Sequence, residues 1–207
     1  MRVDASVVNG WFIKALAREY RLFTSSEISV TEAAAPCLRR AYYNRVRRHL
    51  PTPVEALKII GSRVHSVIQE VLRSEGWDVE VGVSIDLGGW RLVGRADAVK
   101  DDVVLEFKTV NGVLEEPYES HRLQLQAYLT ILHAREGYLV YIDRASGKVK
   151  VFKVRPSKTA LREVIERARK LKEALEEGQP PPPTRGPWCN TCPHKWHCLK
   201  EVRGRDK

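Results

Sequence analysis

Glu106 and Lys108 stand two residues apart in the run Val103-Val104-Leu105-Glu106-Phe107-Lys108-Thr109-Val110. In an extended chain, alternation puts both on one face and Phe107 on the other. Asp97 lies near the end of the preceding run, Trp90 to Val99, and a hairpin through the turn-like pair Asp101-Asp102 brings its carboxylate beside theirs. Two carboxylates and one ammonium suit a hard divalent ion, magnesium or manganese, that activates a water and stabilises charge on a phosphate. The lysine is placed to orient or deprotonate that water. A bare Glu-x-Lys is more often a solvated strand face. Here apolar Val103, Val104, Leu105 and Phe107 surround Glu106, and charges in such a strand are costly without partners or a ligand.

His65 sits beside the apolar stripe of a preceding helix, in line with Gly61, where a small residue permits close approach of another backbone. Alone it reads as a hydrogen-bonded core histidine. Gln124 and Tyr128 are one turn apart on a following helix and within reach of substrate or the lysine, though such a pair alone is only a helix face.

The four cysteines form a second group. Cys189-x2-Cys192-x5-Cys198 packs three thiols into one short tail, and Cys37 stands 152 positions earlier. With no export signal in view, they read as reduced ligands rather than disulfides. A tetrathiolate site takes an iron-sulfur cluster or zinc. Zinc ribbons use two paired knuckles and Cys37 supplies no second pair, so the cluster is preferred while zinc stays open. After Cys37 come Arg39, Arg40, Tyr42, Tyr43, Arg45, Arg47 and Arg48. Charge for phosphates and rings for unpaired bases make Arg39, Arg40, Tyr42 and Tyr43 candidate DNA contacts; a basic helix with its tyrosines packed inward is the alternative.

The positioning elements follow from periodicity and punctuation. Helical stretches are expected over Val7 to Tyr20 and Thr31 to His49, broken at Pro51 and Pro53, then over Val54 to Ser74 with Leu57, Ile60, Val64, Ile68 and Val71 as the buried stripe. Strands Val79 to Leu87, Trp90 to Val99 and Val103 to Val110 form an antiparallel meander, the last one central. Glu115 to Arg135 is a helix, Tyr138 to Asp143 and Lys148 to Val154 a hairpin, and Ser157 to Glu177 a long charged helix. The spacer Pro180 to Pro183 leads to the cysteine tail. The fold class is α/β, a mixed sheet flanked by helices. At 207 residues the chain has room for one good core. Its net charge of +9 favours anionic partners. No run reaches the apolar length of a membrane span, so a soluble, cytoplasmic protein without membrane contact is expected. There is no Gly-x4-Gly-Lys-Ser/Thr, the phosphate cradle of an ATP-driven motor.

Taken together, His65, Gly94-x-x-Asp97, Glu106-Phe107-Lys108 and Gln124-x-x-x-Tyr128 resemble, in order and spacing, the motifs of the RecB-type nucleases, a branch of the PD-(D/E)xK superfamily. Ala96-Asp97 replaces the usual Pro-Asp, a departure this branch commonly tolerates. The resemblance implies a restriction-endonuclease-like core over 54–155 in which His65, Asp97 and Glu106 bind Mn2+ or Mg2+, Lys108 is catalytic, and Gln124 and Tyr128 complete the site.

One cysteine upstream of such a core and three at its end resemble the CRISPR-associated RecB-like exonuclease family, fourth in the numbering of those proteins. That likeness implies an iron-sulfur cluster on Cys37, Cys189, Cys192 and Cys198, four irons and four sulfurs in preference to two and two. Residues 1–53 and 156–207 would form a helical cap that the cluster closes within one domain. It also implies exonuclease action on single-stranded DNA ends, with some endonuclease activity, and work beside CRISPR integrase proteins in acquiring spacers. Two rival readings are an iron-sulfur DNA-repair nuclease and a non-catalytic DNA-binding scaffold.

Overall fold

The computed structural model describes residues 26–47 and 53–199, the side chains of 53–60 excepted. The helix expected over Val7 to Tyr20 lies outside the described residues. Strand β1 (Glu27–Ser29) leads directly into α1 (Val30–Ala34), whose start is fixed by a capping box. The Ser29 hydroxyl accepts from Glu32 N–H at 3.1 Å, and the Glu32 carboxylate accepts from Ser29 N–H at 3.0 Å. Pro36 then interrupts the helix expected over Thr31 to His49, because its ring restricts the residue before it to extended backbone. A separate helix, α2, begins after the break (Leu38–Val46).

Pro53 opens α3 (Pro53–Ser74) rather than breaking the chain; its missing N–H is no loss at a first-turn position. The meander follows as β2 (Asp78–Asp86), β3 (Arg91–Lys100) and β4 (Val103–Val110), then α4 (Glu119–Ile131), β5 (Glu136–Asp143), β6 (Val149–Val154) and α5 (Lys158–Glu177).

The strands form one mixed sheet. Antiparallel β2 covers one edge of β3 along nearly its whole length. The other edge is shared: β1 pairs in parallel with Arg91 to Val93, and β4 pairs antiparallel only with Ala98 to Lys100. Beyond Ala98 the two strands part. On its far side β4 runs parallel to β5 over eight residue pairs, and β6 closes the sheet. The Val/Leu-rich β4 is therefore central, and the functional candidates lie where the sheet opens between β3 and β4.

The core gathers Ile28, Leu92, Val104, Leu125, Leu129 and Leu139 from strands and α4 with Val164, Ala168 and Leu171 of α5, all fully buried. Ser157 caps α5 by accepting from Ala160 N–H at 3.1 Å, and Gly178 ends it in the left-handed region at φ 66°, where glycine carries no Cβ penalty. Helix α5 also holds the N-terminal segment, since Arg167 donates to the Ala33 carbonyl at 2.6 Å. Among the described residues no helix is long and apolar enough to cross a membrane.

The face that α3 presents differs from the stripe expected. Val71 is 56% exposed, and Gly61, His65 and Gln69 line up toward the sheet instead. Gly61 lies so close that a Cβ there would stand 2.5 Å from Thr109 Oγ1. Val64 and Ile68 of the expected stripe are half-buried, and the side chains of Leu57 and Ile60 lie outside the described residues.

Candidate active site

Because β3 and β4 stop pairing at Ala98 and Leu105, the next inward N–H of β4, that of Phe107, has no ladder partner. The Asp97 carboxylate takes it at 2.7 Å, which fixes the carboxylate in the gap. His65, from α3, packs against the Phe107 ring with centroids 5.9 Å apart and places Nδ1 3.7 Å from the same Asp97 oxygen. Gln69, one helical turn on and 4% exposed, donates to Glu80 at 2.6 Å and to the Asp97 carbonyl at 3.4 Å. Glu80 sits at φ 56°, a left-handed conformation uncommon for glutamate, and the β2–β3 ladder skips it. Its other carboxylate oxygen pairs with Arg95 at 2.6 Å.

Glu106, 3% exposed, holds the other side. Its Oε1 accepts from Lys108 Nζ at 2.7 Å and from Gln124 Nε2 at 2.8 Å; Lys108 also donates to Gln124 Oε1 at 3.2 Å. Gln124 Nε2 donates to the Tyr128 hydroxyl at 3.2 Å, and that hydroxyl accepts from Arg95 N–H at 3.3 Å. Gly94 makes room for the ring, since a Cβ there would meet Tyr128 Cε1 at 2.5 Å. The sequence motifs Gly94-x-x-Asp97, Glu106-x-Lys108 and Gln124-x3-Tyr128 thus meet in one network, with His65 on its border.

The electrostatics follow from burial. Desolvation pushes Glu106 up to about 7, Lys108 opposing and Asp97 adding to the rise. Asp97 is raised to about 6, again by burial first, with Lys108 and the Phe107 N–H pulling it down. Burial and the Lys108 charge lower His65, which favours the neutral imidazole. Burial pushes the Tyr128 phenol above its usual value, so it stays a neutral donor and acceptor.

Glu106 Oε2 and His65 Nε2 are buried with no hydrogen-bond partner among the described residues. Unpaired polar atoms at this depth are costly, and both belong to the expected metal-binding set. No three or more His, Cys, Asp and Glu side chains among the described residues are already gathered into a metal cage. Still, two carboxylates and a neutral imidazole, with open lone pairs on two of the three groups, fit a divalent ion.

Sequence reasoning missed Gln69, Glu80, Arg95 and His121. His121 follows the same face of α4 one turn before Gln124; its Nδ1 lies 2.8 Å from the Tyr141 hydroxyl, and burial with the Lys108 charge lowers it to about 3. The spacing His121-x2-Gln124-x3-Tyr128 was the available signal. For Glu80 the sequence carried none, because its placement depends on a backbone irregularity.

The candidate DNA contacts on α2 need correction. Arg39, Tyr42 and Tyr43 are 2–5% exposed and point inward, so they offer no surface for bases or phosphates. Arg39 instead donates to the Pro181 carbonyl at 3.2 Å and to the Tyr43 hydroxyl at 3.4 Å, tying α2 to the proline spacer. Only Arg40 of the four is half-exposed. The inward side of α2 meets the C-terminal tail. Cys37, Cys189, Cys192 and Cys198 line one cavity of about 190 Å³ together with Arg39, Tyr43 and His194. Burial raises the Cys198 thiol; Arg39 opposes the rise and the other three cysteines add to it. His194, 1% exposed, anchors the tail through Asn44 at 2.8 Å.

Known proteins resemble this chain in sequence and in fold. The chain is similar to the CRISPR-associated exonuclease Cas4 of Saccharolobus solfataricus, 35% identical over 94 residues, an alignment covering 41% of this chain and 46% of that protein. It is also similar to the CRISPR-associated exonuclease Cas4 of Aeropyrum pernix, 28% identical over 86% of this chain and 96% of that protein. The crystal structure of SSO0001 superposes with a TM-score of 0.68 at 25% identity, covering 92% of this chain and 96% of the other. An alkaline exonuclease from Laribacter hongkongensis, LHK-Exo, shares the fold at 13% identity and a TM-score of 0.52, over 82% of this chain and 93% of its own. The model of the PD-(D/E)XK nuclease superfamily matches residues 72–199, more than half of the chain and the whole run from Asp97 through the three tail cysteines, and the chain belongs to that superfamily.

Proposed function

We propose that the protein is a metal-dependent DNA nuclease that trims single-stranded ends, with some endonuclease activity, in the preparation of DNA for insertion into CRISPR arrays. One observation carries the catalytic reading: a buried Glu106 with an orphaned oxygen, held by Lys108 and Gln124 at the opening of the sheet beside Asp97 and His65. His65, Asp97 and Glu106 would hold Mn2+ or Mg2+, which when bound polarises a phosphodiester oxygen and acidifies a water. The chain's own groups do the rest. Burial keeps His65 neutral, with its lone pair available. Gln124 fixes both Glu106 and Lys108, so the ammonium is oriented without searching rotamers and can balance charge that builds on the phosphate. Tyr128 in turn fixes Gln124.

Cys37, Cys189, Cys192 and Cys198 would hold an iron-sulfur cluster, four irons and four sulfurs, joining α2 to the tail so that both chain flanks cap the core. Support comes from the shared cavity and from the charge that the other three thiols exert on Cys198. The CRISPR context rests on the two similar CRISPR-associated exonucleases, and integrase proteins as partners rest on the motif resemblance alone.

The test uses anaerobically purified protein and end-labelled single-stranded DNA, with manganese or chelator, beside Asp97→Ala and Lys108→Ala. Stepwise shortening that needs metal and both side chains is expected. Binding without cleavage under every divalent ion would overturn the reading in favour of a DNA-binding scaffold. Iron and sulfide content with visible absorbance, lost in Cys189→Ala, tests the cluster; zinc in their place would overturn it.

A further inference from the structure

Tyr118 stands just before α4 with half of its side chain (51%) open to solvent. An exposed aromatic on a loop is ordinary, but this one is held in a fixed plane. Its ring meets His121 at 5.4 Å and 87°, and Tyr141 at 6.3 Å and 74°. Behind them, Tyr141 packs on Phe152 at 5.7 Å and 81°. The backbone is pinned as well, since Tyr118 N–H donates to the Tyr141 hydroxyl at 3.1 Å. His121, Tyr141 and Phe152 thus form a three-ring support for the one exposed ring.

The location gives this rigidity a use. Tyr141 is the register partner of Lys108 in the parallel β4–β5 ladder, and His121 precedes Gln124 by one turn of α4. The ledge therefore adjoins the Lys108 side of the catalytic network, next to where a phosphodiester would lie. Lys150 lies over the Phe152 ring at the back of the set, but the exposed Tyr118 ring itself meets the His121 and Tyr141 rings, so what it offers is a π-face and not a phosphate clamp. We propose that Tyr118, braced by His121 and Tyr141, is a stacking subsite for the nucleobase next to the scissile phosphate. This deepens the nuclease reading and rests on it.

A fixed ring has little rotational entropy to lose on stacking, and such contacts tolerate any base. Removing the ring should weaken binding of a short single strand by roughly ten-fold. The experiment places 2-aminopurine at successive positions of an end-labelled single strand and reads its fluorescence on the full-length protein in chelator. Quenching is expected at one position near the bound end. Tyr118→Leu should lose that quenching, and Tyr118→Phe should keep it. Circular dichroism verifies that both variants are folded. Metal-dependent shortening of the same strand by the wild-type protein is measured in parallel, so failure of the nuclease reading shows separately. Quenching unchanged in Tyr118→Leu, or absent at every position, overturns the proposal, as does a strand that does not bind.

Discussion

Glu106→Gln should change how stability depends on pH, in chelator, by an amount fixed by burial. Glu106 titrates near 7 in the folded protein against 4.5 for an ordinary glutamate. An acid with a raised folded pKa takes up its proton more readily when folded, so the fold bears no cost below pH 4.5. The cost develops between pH 4.5 and 7 and is complete above 7. Two and a half units correspond to about 3 kcal/mol. The raw profile will not show this alone. His121, lowered to about 3 from 6.5, adds stability as pH rises across that interval and His65 shifts in the same direction, while Asp97, raised to about 6, loses stability alongside Glu106. The informative quantity is the difference between variant and wild type. Urea unfolding followed by circular dichroism at pH 4.5 and pH 8 should show Glu106→Gln gaining about 3 kcal/mol on the wild type between the two. A difference constant with pH to within about 1 kcal/mol would refute the claim that Glu106 is held buried and charged at an energetic cost.

Metal affinity should fall steeply below pH 7, because an ion must displace protons from Glu106, near 7, and Asp97, near 6; titration calorimetry at pH 6 and 8 reads the released protons. Gly94→Ala places a Cβ 2.5 Å from a fully buried Tyr128 and should destabilise by about 1–3 kcal/mol, seen as a lower melting temperature, with cleavage falling as Gln124 loses its support. Gln69→Leu removes the hydrogen bonds from Gln69 to Glu80 and to the Asp97 carbonyl and should cost about 1–3 kcal/mol in chemical unfolding; an unchanged midpoint would show that Gln69 contributes nothing to the fold.

The parts of this fold legible in the sequence are those whose signal is local. The meander, the β5–β6 hairpin and the long α5 each carry their own periodicity and turn residues within about twenty positions. Short-range alternation also placed Glu106 and Lys108 together. What escaped depends on partners distant in the chain. Strand β1 is three residues long and exists because it lies beside Arg91 to Val93. Arg39 and Tyr43 read as DNA contacts because a basic, aromatic helix face has the same composition whether it meets a nucleic acid or, as here, the Pro181 carbonyl 142 residues away. Helix α3 misled in another way: its apolar spacing did not reveal that Gly61, His65 and Gln69 face Thr109, Asp97 and Glu80 of the sheet.

The site is made of departures from a regular sheet, and each departure frees one group. Where β3 and β4 part, the Phe107 N–H becomes available to a side chain, and Asp97 is the acceptor that fills it. Where the β2–β3 ladder skips Glu80, a carboxylate turns toward Gln69 and Arg95. Neither arrangement is a low-energy choice for backbone alone. A left-handed glutamate costs on the order of 1–3 kcal/mol, and a buried, half-satisfied Glu106 adds to it. Such strain persists only where the surrounding structure over-determines it, and the fully buried core formed by β3, α4 and α5 does so on the other side of the sheet's opening. That same low-dielectric setting strengthens the attraction between the carboxylates and any cation placed between them. The features that weaken the site without a cation are therefore the ones that would favour holding one.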